Sequence, residues 1–127
     1  MARLVLAVSG LIFLAFGLAF LADPLRFLGT LGPLTASPDL VTDLRAIYGG
    51  LNTGLGVWLL ASVRVPALHR PGLALIAATL GVVAVGRAAG MLTSGFDRSV
   101  TPVFLGLEAL GAVLAAVAWW RLGRAAR

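Results

Sequence analysis

Four apolar blocks, about residues 4–22, 45–63, 71–92 and 101–120, take up most of this chain. Each is close to the roughly 20 residues that cross a hydrocarbon core about 30 Å thick. Of the 127 residues, 60% are apolar and 12% charged, against roughly 45–50% and about 25% in an ordinary soluble domain. The expectation is an all-α protein of one domain, residues 1–127, whose four transmembrane helices run up, down, up and down as a bundle. Little length is left for a soluble catalytic module.

Turn chemistry sets the ends of the blocks. The first stops at Asp23-Pro24, because proline lacks the N–H the helix ladder needs and pushes the preceding residue out of the helical region. That block is longer than the 7 to 15 apolar residues of a signal peptide and reads as a span. Residues 23–37 hold Pro24, Gly29, Gly32 and Pro33 among Leu25, Phe27, Leu28 and Leu31, a composition suited to lying in the membrane interface. Ser37-Pro38-Asp39 then supplies an N-cap, a proline for the first helical position and an acid near the positive helix end. The second helix therefore starts well before its membrane part. Pro71 and Thr101-Pro102 open the third and fourth spans, and Trp119-Trp120 closes the fourth as an interfacial pair.

Charge placement orients the spans. Arg3, Arg64, Arg70, Arg121, Arg124 and Arg127 fall on one side, whereas Arg26 and Arg98 share the other with Asp23, Asp39, Asp43 and Asp97. The positive-inside rule puts both termini in the cytoplasm. A net charge of +5 would suggest nucleic acid in a soluble protein, but here the arginines sit at span ends, and no nucleic-acid partner is expected.

Composition also removes chemistry. With no cysteine there is no disulfide, thiolate metal site or haem attachment. All ten basic residues are arginine, so no Schiff-base or phosphate-loop lysine exists. His69, the single histidine, lies between Arg64 and Pro71, a poor start for a metal site. No catalytic residue, metal or cofactor is expected.

Two charges interrupt apolar blocks: Arg87 in the third and Glu108 in the fourth. Either would cost about 2.5–3.5 kcal/mol near the bilayer centre if it faced lipid unpaired. They are symmetric about the turn near Asp97 and Arg98, so antiparallel neighbours bring them to one level. The same arithmetic across the turn near Ala67 and Leu68 brings Tyr48 there as well. On the second helix Arg45, Tyr48 and Asn52 follow a three-then-four spacing that puts all three on one face. These five residues are expected to form a polar cluster in the outer half of the membrane, about 7 Å below its outer end for Arg87. The plainer alternatives are that Arg87 snorkels to the headgroups, Arg45 anchors at the interface, Tyr48 belongs to the aromatic belt and Asn52 bonds between helices. Glu108 is too short for such an escape and either pairs with arginine or sits protonated.

Glycine supports close helix approach. Gly50 and Gly54, beside Gly49, form a four-residue repeat on the second helix, and Gly86 and Gly90 another on the third. Packing inside the bundle is favoured over a dimerisation face, because both repeats neighbour polar residues.

The run Asp43-Leu44-Arg45-Ala46-Ile47-Tyr48-Gly49-Gly50-Leu51, followed by Gly54 and Gly56, resembles the signature of a family of small bacterial four-span membrane proteins catalogued as a domain of unknown function. Gly86-Arg87 and Glu108 resemble that family's arginine and acid on the third and fourth helices. Asp43 stands where many members carry Glu. The resemblance covers nearly the whole chain and implies a shape similar to DoxX-like four-helix membrane proteins, with no implied reaction, substrate or cofactor.

The leading functional expectation is a pocket between bundle helices for a small amphipathic ligand or lipid headgroup, with Arg45 and Arg87 meeting an anion, Tyr48 and Asn52 orienting it and Glu108 balancing charge. The alternative is a structural accessory or assembly subunit with a membrane-protein partner or a second copy of itself. A proton-coupled transporter using Glu108 comes third. An enzyme comes last, for want of a nucleophile or a water path.

Overall fold

The computed structural model describes residues 1–29, 35–95 and 100–125. The central part of the expected interfacial segment, the turn at Asp97 and Arg98, and Arg127 lie outside the described residues. The regular structure among those described is all helical: α1 (Ala2–Ala22), α2 (Pro24–Gly29), α3 (Pro38–Leu44), a π-helix (Arg45–Leu51), α4 (Asn52–Ser62), α5 (Pro66–Ser94) and α6 (Thr101–Ala125). Three of them, α1, α5 and α6, are long and apolar enough to cross a membrane, with mean hydropathies of 2.7, 1.8 and 1.9 over their most apolar stretches. Only 6% of that stretch of α5 is buried. Val82, Val85 and Leu92 are 73%, 71% and 88% exposed, a surface that water would penalise and lipid tails would not. The chain fits a membrane protein.

Local chemistry explains the helix ends. Asp23 separates α1 from α2, and its Oδ1 accepts from the Arg26 N–H at 3.1 Å. Ser37 caps α3 with extended backbone, its Oγ accepting from the Leu40 N–H at 3.2 Å, with Pro38 in the first turn. α5 begins at Pro66, five residues ahead of the expected Pro71, because extended Val65 already provides the entry and Pro66 the pre-set first position. Pro71 therefore sits inside the helix, where its ring removes one N–H from the ladder. α5 ends at Gly95, whose φ of +73° suits a residue without a Cβ.

The chain divides into two compact units. One comprises Met1–Leu6 with Val65–Arg127, the other Ala7–Arg64.

In the first unit α5 and α6 form an antiparallel hairpin. Its register can be followed residue by residue. Arg70 lies over Trp119 near one end, Leu80 faces Gly111, and Arg87 meets Glu108 toward the other end. Leu73, Ile76, Ala84, Ala115 and Ala118 are buried. Small residues on α6 suit close approach where apolar burial is not the driving force between helices.

In the second unit α1 packs antiparallel to the run from the π-helix through α4, and glycines set the contact. A Cβ at Gly10 would lie 2.9 Å from the Leu60 side chain, and one at Gly56 would lie 2.7 Å from the Leu14 Cα. Gly17 is pressed against the backbone of Thr53, and a Cβ at Gly49 would come 2.9 Å from the Leu21 nitrogen. Each helix thus contributes two glycines one heptad apart, a spacing that keeps them on one seam. Beyond that seam α2 folds back so that Phe27 joins Phe16 and Phe20, with ring centroids 4.8–4.9 Å apart.

Candidate functional site

The five residues expected to form one polar cluster are divided between the two units, and each group is described in its own.

In the α5–α6 hairpin, Arg87 and Glu108 form a bidentate ion pair. Arg87 Nε donates to Oε2 at 2.8 Å and Nη2 donates to Oε1 at 2.6 Å. The planar guanidinium matches the carboxylate fork, which makes this the strongest geometry available to such a pair. The Glu108 side chain is 14% exposed and that of Arg87 30%. Phe104, one turn before Glu108 on α6, puts its ring 5.4 Å from Arg87 Cζ, so the cation also meets a π face. Both carboxylate oxygens are engaged. Removing either partner would strand the other charge, at about 3–5 kcal/mol for a well-buried pair.

In the other unit, Arg45 and Tyr48 lie within the π-helix and Asn52 opens α4. The expected common face for these three rested on 3.6 residues per turn, and that phase does not run through 45–51. A π-helix closes i→i+5 bonds and so turns more widely. The three side chains take different partners. Tyr48 is half exposed and stacks on Phe20, with centroids 5.4 Å apart and planes inclined by 29°. Asn52 Nδ2 donates to the Tyr48 carbonyl at 2.6 Å, occupying an oxygen beside the altered ladder. The Arg45 side chain is exposed and makes no hydrogen bond or ion pair to a described residue, that of Asp43 included.

The family comparison covers almost the same ground as the four apolar blocks. A model described as Domain of unknown function (DUF4345) matches residues 1–120. The chain belongs to the DUF4345 family. No curated protein and no solved structure matches it.

For this DUF4345 chain the described surroundings of the expected glycines differ from one to the next. Gly49 does make a close approach, against Leu21. Within their own units, however, a Cβ at Gly54, Gly86 or Gly90 would have no described atom within 4 Å, and one at Gly50 would meet only the Arg45 carbonyl at 3.9 Å. Gly49 and Gly56, one heptad apart, share the face that meets α1, and Gly50 and Gly54 lie on another. Gly10–Gly17 and Gly49–Gly56, each one heptad apart, were the legible signal.

A further feature had no sequence signal at all. Thr53 Oγ1 is buried and has no hydrogen-bond partner among the described residues, facing Gly17 across the α1–α4 seam. By contrast Ser62, fully buried, donates to the Trp58 carbonyl at 2.8 Å. Among the described residues no three His, Cys, Asp or Glu side chains gather in a way that could hold a metal ion.

Proposed function

We propose that this DUF4345 protein is a multi-pass protein of the bacterial cytoplasmic membrane that recognises a small amphipathic molecule or lipid headgroup through its second span. In this reading the second apolar block, about residues 45–63, crosses the membrane as α1, α5 and α6 do, the four spans make an up-down-up-down bundle, and both termini are cytoplasmic, as the arginine distribution favours. The polar residues then lie in the outer half of the membrane.

The observation that carries the reading is the π-helix Arg45–Leu51. Such helices are rare and occur frequently at functional sites. This one presents an exposed guanidinium with no partner among the described residues, beside a half-exposed tyrosine that continues an aromatic group from Phe16, Phe20 and Phe27. An anionic or strongly polar head suits Arg45, and an apolar body suits the rings. Arg87 contributes less, because its charge is already matched by Glu108.

The test is mass spectrometry of small molecules retained by the protein after mild detergent extraction, comparing the native chain with Arg45→Gln and Tyr48→Ala. The expected result is a molecule held by the native protein and lost from both variants while each remains folded. Equal retention by all three rejects the reading.

A second reading, a structural accessory or assembly subunit of a larger membrane complex, is favoured by the Arg87–Glu108 pair, which joins α5 to α6 and leaves no free charge. Partner proteins that co-purify equally with Arg45→Gln and with the native chain would support it. Use of Glu108 as a proton carrier ranks behind both, since Arg87 holds both of its oxygens.

A further inference from the structure

Among the described residues, the charged side chains at one end of the α5–α6 hairpin are all arginine. Arg70 lies near the start of α5, Arg121 and Arg124 lie at the end of α6, and Met1 and Arg3 belong to the same unit. Arg121 Nη1 reaches Met1 Sδ at 3.9 Å, which puts the beginning of the chain at this end as well. The one acid among the described residues of this unit is Glu108, roughly 22 Å along the helix from Gly123 and already paired.

Two of these guanidiniums are held in place. Arg70 Cζ lies 4.6 Å from the centroid of Trp119, and Arg124 Cζ lies 3.7 Å from that of Trp120. Gly123 makes room for the first, because a Cβ there would come within 2.8 Å of Arg70 Nη2. Arg70, Trp119, Trp120, Gly123 and Arg124 together line a cavity of about 270 Å³.

A stacked guanidinium keeps its full charge and its in-plane N–H donors, which match phosphate oxygens. Stacking also removes much of the rotamer freedom that binding would otherwise have to freeze. The two indoles, half exposed at the end of a membrane-length helix, are amphipathic groups of the kind that settle at headgroup level. We infer that this cradle binds the phosphate of an anionic membrane phospholipid, with Arg70 and Arg124 on the phosphate oxygens and Trp119 and Trp120 against the glycerol and upper acyl carbons. Among the described residues the charge has no acidic partner, and a basic pocket between helices at headgroup depth meets lipid phosphate before any soluble anion. This site is separate from the one proposed on the second span.

The experiment is native mass spectrometry of the full chain in detergent, titrated with phosphatidylglycerol, with phosphatidylcholine of the same acyl chains, and with soluble glycerol phosphate. Phosphatidylglycerol is expected to bind at least about tenfold more tightly than phosphatidylcholine. At about 1 kcal/mol per arginine, Arg124→Gln should weaken it about fivefold and the pair Arg70→Gln/Arg124→Gln about 25-fold. Arg3→Gln/Arg121→Gln removes the same charge at the same end and should change binding less than twofold. Arg124→Gln perturbs only contacts with its own helix, so it keeps the test open should the double variant fail to fold. An equal loss in Arg3→Gln/Arg121→Gln would make the effect a diffuse field and overturn the site. Equal binding of phosphatidylcholine overturns the preference for an anionic lipid. Competition by glycerol phosphate at lipid-like concentrations would overturn the assignment to a membrane lipid in favour of a soluble phosphate ester.

Discussion

Arg87 grips Glu108 through two parallel hydrogen bonds of 2.8 and 2.6 Å, with Phe104 beside the cation, and so joins α5 to α6 away from their basic end. The carboxylate is the less exposed partner. A bridge of this form does most of its work through the penalty for losing one half.

Arg87→Met and Glu108→Gln are therefore expected to destabilise the protein by about 3 kcal/mol each, and the double variant to recover at least half of the summed loss. Thermal unfolding in detergent at neutral pH measures the cycle. Additive losses would mean that the contact contributes nothing of its own.

The seam between α1 and α4 yields a contrast between two glycines on one helix. Gly56→Ala drives a methyl against the Leu14 backbone and should cost about 1–3 kcal/mol. Gly54→Ala adds a methyl to open space, and it should be neutral or stabilise by up to about 1 kcal/mol through helix propensity. If the two variants melt together, the seam is drawn in the wrong place.

Thr53 hides a hydroxyl with no partner among the described residues. Thr53→Val keeps the shape and removes the orphan donor, so the variant should be more stable by about 1 kcal/mol, a share of the roughly 1–3 kcal/mol such a group costs. A loss of stability on the same unfolding assay would show that the hydroxyl has a partner after all.

Topology is testable because the chain has no cysteine of its own. In intact cells a membrane-impermeant maleimide should label Ser37→Cys, while Ala2→Cys should react only after the membrane is opened. The reverse pattern would invert the proposed orientation and put the Arg70–Trp119 cradle on the outer surface.

Several features were legible before any coordinates. The stop at Asp23-Pro24 and the cap at Ser37 depend on residues within one turn, and local chemistry decided both. Positions 87 and 108 were matched by counting outward from a turn, which works when two helices are antiparallel and regular between turn and pair. Counting has less hold where the helix is not regular: the π-helix over 45–51 departs from the 3.6-residue turn on which the grouping of Arg45, Tyr48 and Asn52 rested. The close approach to α1 falls at Gly49 and Gly56.

What the amino-acid sequence determined by itself was the class of protein: membrane-length apolar helices, their polar ends, and two charges that lipid would not tolerate alone. Those follow from composition and from interactions a few residues long, where hydrophobicity and capping act without knowledge of the partner. Tertiary structure decided which partner each group took. It gave Glu108 wholly to Arg87, laid Tyr48 on Phe20, and brought Arg70 from the start of one helix onto Trp119 near the end of another. Contacts of this kind depend on the phase and depth of two helices at once, and a single added residue in one turn is enough to reassign them.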